Sequence, residues 1–145
     1  MKMHPLAVSA VRGFSRLHTQ IFRWLGPMGA GPFRSFRSTL ILTTRGRKSG
    51  KEIPTPLLYV EQDGKLYVVA SFGGSDTPPG WYKNLLANPD VSGEKDKETA
   101  KYRARSLDTD EAGKVWPKLL ELYPPYASYQ KKTTRVIPVV ELTRA

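Results

Sequence analysis

Ser38–Ala70 reads STLILTTRGRKSGKEIPTPLLYVEQDGKLYVVA, and this stretch decides the fold class. Ser38–Thr44 is an apolar, β-branched run, and Gly46-Arg47-Lys48-Ser49-Gly50 is a turn. Ile53–Val60 is then the returning strand. Pro54 and Pro56 are expected to keep part of it out of regular pairing, because proline lacks the N–H that a ladder needs. Asp63-Gly64 is the two-residue signature of a tight hairpin and leads into another strand over Lys65–Ala70. Strands joined by links this short run antiparallel.

Working outward toward the C-terminus, Ser71–Gly80 is a glycine-rich loop. Pro78-Pro79 opens a short helix over Trp81–Leu86 that stops at Asn88-Pro89. Residues 100–106 alternate like a strand. Asp108 with Glu111 three residues on is a capping-box start for a helix carrying Val115, Leu119 and Leu122, which Pro124-Pro125 ends. Val136–Leu142 is a closing strand. Five or six strands with hairpin links and a few short helices make the chain mostly β (α+β), a small antiparallel barrel with helical decoration. Strands and helices do not alternate regularly, which argues against a doubly wound sheet.

Toward the N-terminus, residues 1–35 form a separate unit, leaving 36–145 as the barrel domain. Ala7, Val11, Phe14, Leu17, Ile21, Trp24 and Leu25 recur at helical spacing, with Arg12, Arg16 and Arg23 on the other side and Gly26-Pro27 ending the helix. Such a basic amphipathic helix either packs on its own domain or lies on an anionic membrane surface. No apolar run approaches the roughly 20 residues that span a bilayer. Arginines interrupt every candidate secretory core, so the expected location is cytoplasmic, with peripheral contact on the inner face of the membrane as the second reading.

Composition narrows the chemistry. The 145 residues include no cysteine, which excludes disulfides, thiolate metal sites and cysteine nucleophiles. The histidines are His4 and His18, both in the leader, so the barrel holds no Ser-His-Asp triad and no histidine-ligated metal is expected. Residues 1–51 hold ten of the 23 basic residues and no acid, whereas the remainder carries 13 of each sign. An anionic partner is therefore expected for the first third of the chain.

Three constellations carry candidate chemistry. Thr43-Thr44-Arg45-Gly46-Arg47-Lys48-Ser49-Gly50-Lys51 places four cations, three hydroxyls and two glycines at a strand-to-strand turn. Arginine grips phosphate bidentately, lysine adds a point charge, and glycine admits the backbone to an anion. The bland alternative is a solvated basic hairpin tip. The upstream glycine spacing and the following helix of a P-loop are missing. The second constellation is Ala70-Ser71-Phe72-Gly73-Gly74 with Pro79-Gly80-Trp81-Tyr82-Lys83-Asn84. A glycine pair after a strand lets a planar ring lie against backbone, with Trp81 as a wall and Ser71 and Asn84 bonding its edge, unless Trp81 is simply core. The third is Tyr123-Pro124-Pro125-Tyr126-Ala127-Ser128-Tyr129-Gln130. Its tyrosines at i, i+3 and i+6 form either a packing stripe or an aromatic face with phenol donors for a flat substrate.

"LTTRGRKSGK", "PLLYV", "ASFGG", "PGWYKNLLANP" and "WPKLLELYPPYASYQ…IPVVEL", in that order and spacing over about residues 36–143, resemble the deazaflavin-dependent nitroreductase family, the class A reductases that use coenzyme F-420 (8-hydroxy-5-deazaflavin). The resemblance implies a split β-barrel related to FMN-binding flavoprotein folds. It places the phosphate and acidic tail of the coenzyme on Arg45, Arg47, Lys48 and Ser49. It places the ring by Pro56, Leu57, Leu58, Val69, Ala70, Ser71, Gly73, Trp81 and Asn84, and turns Tyr123, Tyr126 and Tyr129 to the substrate as the catalytic group. Where many relatives have lysine in "SKGG", this chain has Phe72, so the tail is held by fewer cations or the position serves the substrate side. The activity implied is hydride transfer to a quinone, nitroaromatic, or α,β-unsaturated carbonyl or lactone. Cofactor sites in such barrels are often completed by a second subunit, as in a homodimer, or by the protein's own N-terminus, and the sequence leaves both open.

Two other classes compete. The first is an FMN or haem enzyme on the same barrel; FMN has one phosphate and no polyglutamate, so a four-cation turn is excessive for it. A nucleic-acid module is disfavoured because the cations cluster in one turn and the leader helix, not in a stripe interleaved with tyrosines. No metal and no nucleic-acid partner are expected.

Overall fold

The structure is a computed structural model and describes residues 38–145. The leader helix, its linker and both histidines lie outside the described residues. β1 (Thr39–Arg45), β2 (Glu52–Leu58), β3 (Val60–Gln62) and β4 (Lys65–Val69) come first. They are followed by a 3-10 turn (Phe72–Gly74), α1 (Gly80–Ala87), β5 (Asp90–Lys95), β6 (Glu98–Ser106), α2 (Thr109–Leu122), α3 (Pro125–Lys131) and β7 (Val139–Arg144).

The seven strands form one antiparallel sheet in the order β2-β1-β5-β6-β7-β4-β3. β2 and β3 lie at opposite edges of that order, yet only Tyr59 separates them in the chain. The sheet must therefore curl until its edges meet at this residue, which gives a half-barrel. Tyr59 is buried there, and its N–H donates to the Ser38 carbonyl at 2.9 Å.

Two expectations are corrected. β2 pairs with β1 without interruption, from Thr39 opposite Leu58 to Arg45 opposite Glu52, straight through Pro54 and Pro56. Two residues apart on an edge strand, both prolines turn the side lacking an N–H away from β1, where no ladder bond is needed. The described residues also form seven strands rather than five or six, because DVSGEK forms β5. Only Val91 in that segment resembles a strand former. Gly93 is required by contact instead, since a Cβ there would lie 2.9 Å from Leu40 Cδ1 and 3.1 Å from the Tyr102 ring. The turn to β6 uses left-handed Asp96 (φ 50°) and Lys97 (φ 65°) with no glycine to announce it.

The core has two sides. Leu40, Leu42, Leu66, Val68, Val140 and Leu142 fill the barrel interior with Trp81 and Leu85 of α1. Tyr67, Val69 and Val139 point outward and are covered by Val115 and Leu119 of α2 and Tyr126 of α3. β4 is thus buried on both faces, which is why LYVV is apolar throughout. α2 starts on the expected capping box, with the Glu111 N–H donating to Asp108 Oδ1 at 2.8 Å. Pro125 does more than end α2: it sits in the first turn of α3, where its missing N–H is harmless.

Candidate active site

The basic turn is shaped by contacts that only these residues allow. Gly46 donates to the Lys51 carbonyl at 2.8 Å, and a Cβ on it would lie 2.6 Å from Ser49 Oγ. Arg45, Arg47, Lys48, Ser49 and Lys51 are exposed, and among the described residues no carboxylate pairs with the four cations. The turn is anchored from below by Asn84 of α1, a side chain only 3% exposed. Asn84 Oδ1 accepts from Arg47 N at 3.2 Å and from Arg47 Nη1 at 2.8 Å, while Nδ2 donates to the buried Thr44 hydroxyl at 3.2 Å. The residue expected to bond a ring edge therefore spends its carbonyl on orienting the cationic turn.

The glycine loop follows β4. Phe72, half-buried, has φ 46°, and Gly73 and Gly74 have φ 63° and 82°, so three successive residues are left-handed. For Phe72 this is a strained backbone of the kind concentrated at functional sites. Gly73 is exposed, with nothing within 4 Å of where a Cβ would stand, so its face is open to a flat group. Gly74 is buried against α3, where a Cβ would meet the Tyr129 carbonyl at 2.8 Å. Beneath the loop, the Arg135 guanidinium donates to the carbonyls of Ser75 at 2.8 Å, Ser71 at 2.9 Å and Ala70 at 3.2 Å. Sequence reading missed Arg135: a lone arginine before the last strand carries no periodic or motif signal.

Of the other ring candidates, Pro56, Leu57 and Leu58 are half-buried on β2, while the Val69 and Ala70 side chains belong to the outer and inner cores. Ser71 is buried, with its carbonyl held by Arg135. Trp81 is 8% exposed and packs with Leu85 and the strand residues, edge-on to Tyr82 at 6.3 Å.

The C-cap of α2 (Tyr123) and α3 (Tyr126 and Tyr129) bring the three tyrosines together, with centroids 4.9 to 6.3 Å apart. Burial separates them. Tyr126 is buried in the outer core, and burial pushes its phenol well above its ordinary range. Tyr123 and Tyr129 are half-buried and share a hydroxyl–hydroxyl bond of 2.9 Å. That bond, with some burial, pushes Tyr129 up to about 12. Lys132 Nζ sits 5.5 Å from the Tyr129 ring centroid. Raised in this way, the Tyr129 phenol stays protonated at neutral pH.

The donor set fits a phosphorylated, polyanionic coenzyme: four cations without acid partners among the described residues, and a separate loop with one open glycine face. Among the described residues no cluster of metal-ligating side chains exists, and no helix is long and apolar enough to cross a membrane.

A family model described as F420H(2)-dependent quinone reductase matches residues 14–144. An F420H(2)-dependent quinone reductase of Mycobacterium tuberculosis is 36% identical over 133 residues, 89% of each chain. A second protein of that organism, provisionally named for the same activity, is 40% identical over 115 residues, 79% of this chain and 96% of its own. A solved F420-H2 dependent reductase superposes with a TM-score of 0.68 at 44% identity, over 73% of this chain and 94% of that one. The haem storage protein HutZ of Vibrio cholerae, 19% identical over 83% of this chain and 90% of its own with a TM-score of 0.58, shares the split-barrel fold alone. With the matched model spanning nearly the whole sequence, this chain belongs to the F420H(2)-dependent quinone reductase family.

Proposed function

We propose that this protein is a reductase that uses reduced deazaflavin coenzyme F-420 to reduce a quinone, and that nitroaromatics and α,β-unsaturated carbonyl compounds are accepted by the same route. The observation that carries the reading is the unpaired four-cation turn, held in one orientation by Asn84, in a chain of this family. Such a turn suits a phosphate followed by several carboxylates better than a single phosphate.

When bound, the reduced deazaflavin supplies a hydride. Arg45, Arg47, Lys48 and Ser49 bind the anionic handle. Gly73 gives a planar group a face without side chain, and the loop around it limits how that group tilts. The Tyr123–Tyr129 hydroxyl pair donates a hydrogen bond to the acceptor oxygen and helps return its proton. Tyr126 supports that pair from the core side. A homodimer is part of this reading, supported by a solved neighbour titled a domain-swapped dimer, 44% identical over 73% of this chain and 80% of its own with a TM-score of 0.68. Peripheral membrane contact through residues 1–35 rests on their sequence pattern alone.

Titration of the full-length protein with coenzyme F-420 and with FMN tests the assignment, repeated on R47Q/K48Q. F-420 is expected to bind more tightly than FMN, and removing both charges to weaken it at least about tenfold, as lost charge-assisted hydrogen bonds do. Equal binding of both cofactors, indifferent to the two charges, would overturn it.

A further inference from the structure

Arg135 grips the glycine loop by its carbonyl oxygens. Nε serves Ser75, and Nη2 serves both Ala70 and Ser71. Its own backbone is fixed in turn. Gln130 of α3 donates through Nε2 to the Arg135 carbonyl at 2.8 Å and accepts through Oε1 from the Ile137 N–H at 2.9 Å. Arg135 N donates to the buried Thr133 hydroxyl at 3.3 Å. The link therefore runs from the tyrosine helix, through Gln130 and Arg135, to both ends of the left-handed Phe72-Gly73-Gly74 run. Two features mark the arrangement as more than packing. Arg135 Nη1 is buried without a hydrogen-bond partner, and Phe72 is kept in a conformation that a non-glycine residue avoids. Both are unfavourable locally, and both lie at the loop whose open face belongs to Gly73.

We propose that Arg135 is a positioning residue: by gripping the carbonyls of Ala70, Ser71 and Ser75 it fixes the height and tilt of the Gly73 face on which the planar coenzyme ring rests, and ties that face to the tyrosine helix through Gln130. The inference rests on the coenzyme reading above. Lysine cannot replace this arginine, because one ammonium does not span carbonyls at both ends of the loop as a planar fork does.

The test compares the full-length parent with R135K and R135Q, measuring coenzyme F-420 affinity by fluorescence, steady-state KM for coenzyme and for a soluble quinone, and amide exchange over residues 70–76. Both variants are expected to weaken coenzyme binding by about tenfold and to raise its KM equally, since misplacing a bound reactant is expensive in rate and affinity. The quinone KM should stay within about twofold, and amides 70–76 should exchange faster without ligand. A merely structural role would lower the amount of folded enzyme and leave both KM values alone. R135K keeps the charge and serves if R135Q does not fold. Coenzyme affinity within about twofold of the parent in the folded variants would overturn the inference while leaving the function intact. If the parent binds FMN and not F-420, the coenzyme assignment fails, and the same comparison run with FMN still decides Arg135. Binding of neither would overturn both.

Discussion

Arg47 meets Asn84 twice at one oxygen: its backbone N–H at 3.2 Å and its Nη1 at 2.8 Å both point to Asn84 Oδ1, across 37 residues of sequence. The turn that carries the cations is therefore braced by the helix that follows the glycine loop in sequence. Removing the brace and charging it have different consequences. N84A strands the buried Thr44 hydroxyl and two donors of Arg47, and should cost about 1–3 kcal/mol of stability with a matching fall in Tm. N84D still accepts from Arg47, and the Thr44 hydroxyl can rotate to donate, so its Tm should stay near the parent's. Its new negative charge competes with the anionic handle and should weaken coenzyme F-420 about tenfold. Calorimetric melting and coenzyme titration on both variants check the pair.

The two glycines of the loop should respond in opposite ways. At Gly74 an added Cβ meets the Tyr129 carbonyl at 2.8 Å with φ at 82°, so G74A should lose about 2–4 kcal/mol from steric overlap plus a left-handed alanine. At Gly73 (φ 63°) nothing lies within 4 Å, and G73A should cost only about 1–2 kcal/mol. The methyl it adds stands on the face offered to the ring, so G73A should remain folded while binding coenzyme poorly. A folded G73A that bound coenzyme as the parent does would move the ring off this face.

Among the tyrosines, hydroxyl removal should matter by position. Y126F takes a hydroxyl from a side chain packed among Val115, Leu119 and Val139, and quinone turnover should change less than twofold, a small effect on the scale of catalytic groups. Y129F breaks the 2.9 Å bond to Tyr123, and turnover should fall about 10- to 100-fold. With Tyr129 pushed up to about 12, this phenol stays protonated, and turnover should be flat over about pH 6–9 as far as it is concerned. A rise or fall of rate in that window that disappears in Y129F would contradict the assignment.

Much of this was legible in the sequence where one residue type does one job. Asp63-Gly64 gave its hairpin, Asp108 and Glu111 gave their capping box, and the seven-residue run before Arg45 gave its strand. The misses share a physical cause. DVSGEK is a strand because Gly93 lets Leu40 and Tyr102 close over it, and that is a tertiary fact. Pro54 and Pro56 are tolerated because β2 is an edge, which sheet order alone decides. At the site, the types and spacing of the cations and tyrosines could be read, but not their division of labour. Asn84 turned inward to brace a turn, Tyr126 was separated from Tyr123 and Tyr129 by burial, and Arg135 was invisible because its partners are carbonyl oxygens that every residue possesses.

Stability should show a plateau with two edges. On the acid side, the bidentate bonds of Arg105 to Glu111 at 2.8 and 2.7 Å lower that carboxyl from 4.5 to about 2, helped by the Asp108 N–H at the start of α2. A group depressed in the folded state stabilises above its unfolded value, and the contribution is lost as pH falls toward its folded one. Tm should therefore drop between about pH 4.5 and 2. E111Q, which cannot titrate, should start from a lower Tm and lose less of it over that range. On the alkaline side, Tyr126 and Tyr129 are raised, and their contribution is complete below 10 and disappears as pH climbs toward the folded value, about 12 for Tyr129. Y129F should push that edge to higher pH while leaving the acid edge in place. If both edges move together in either variant, the two networks are not independent, and α2 and α3 melt as one unit with the sheet beneath them.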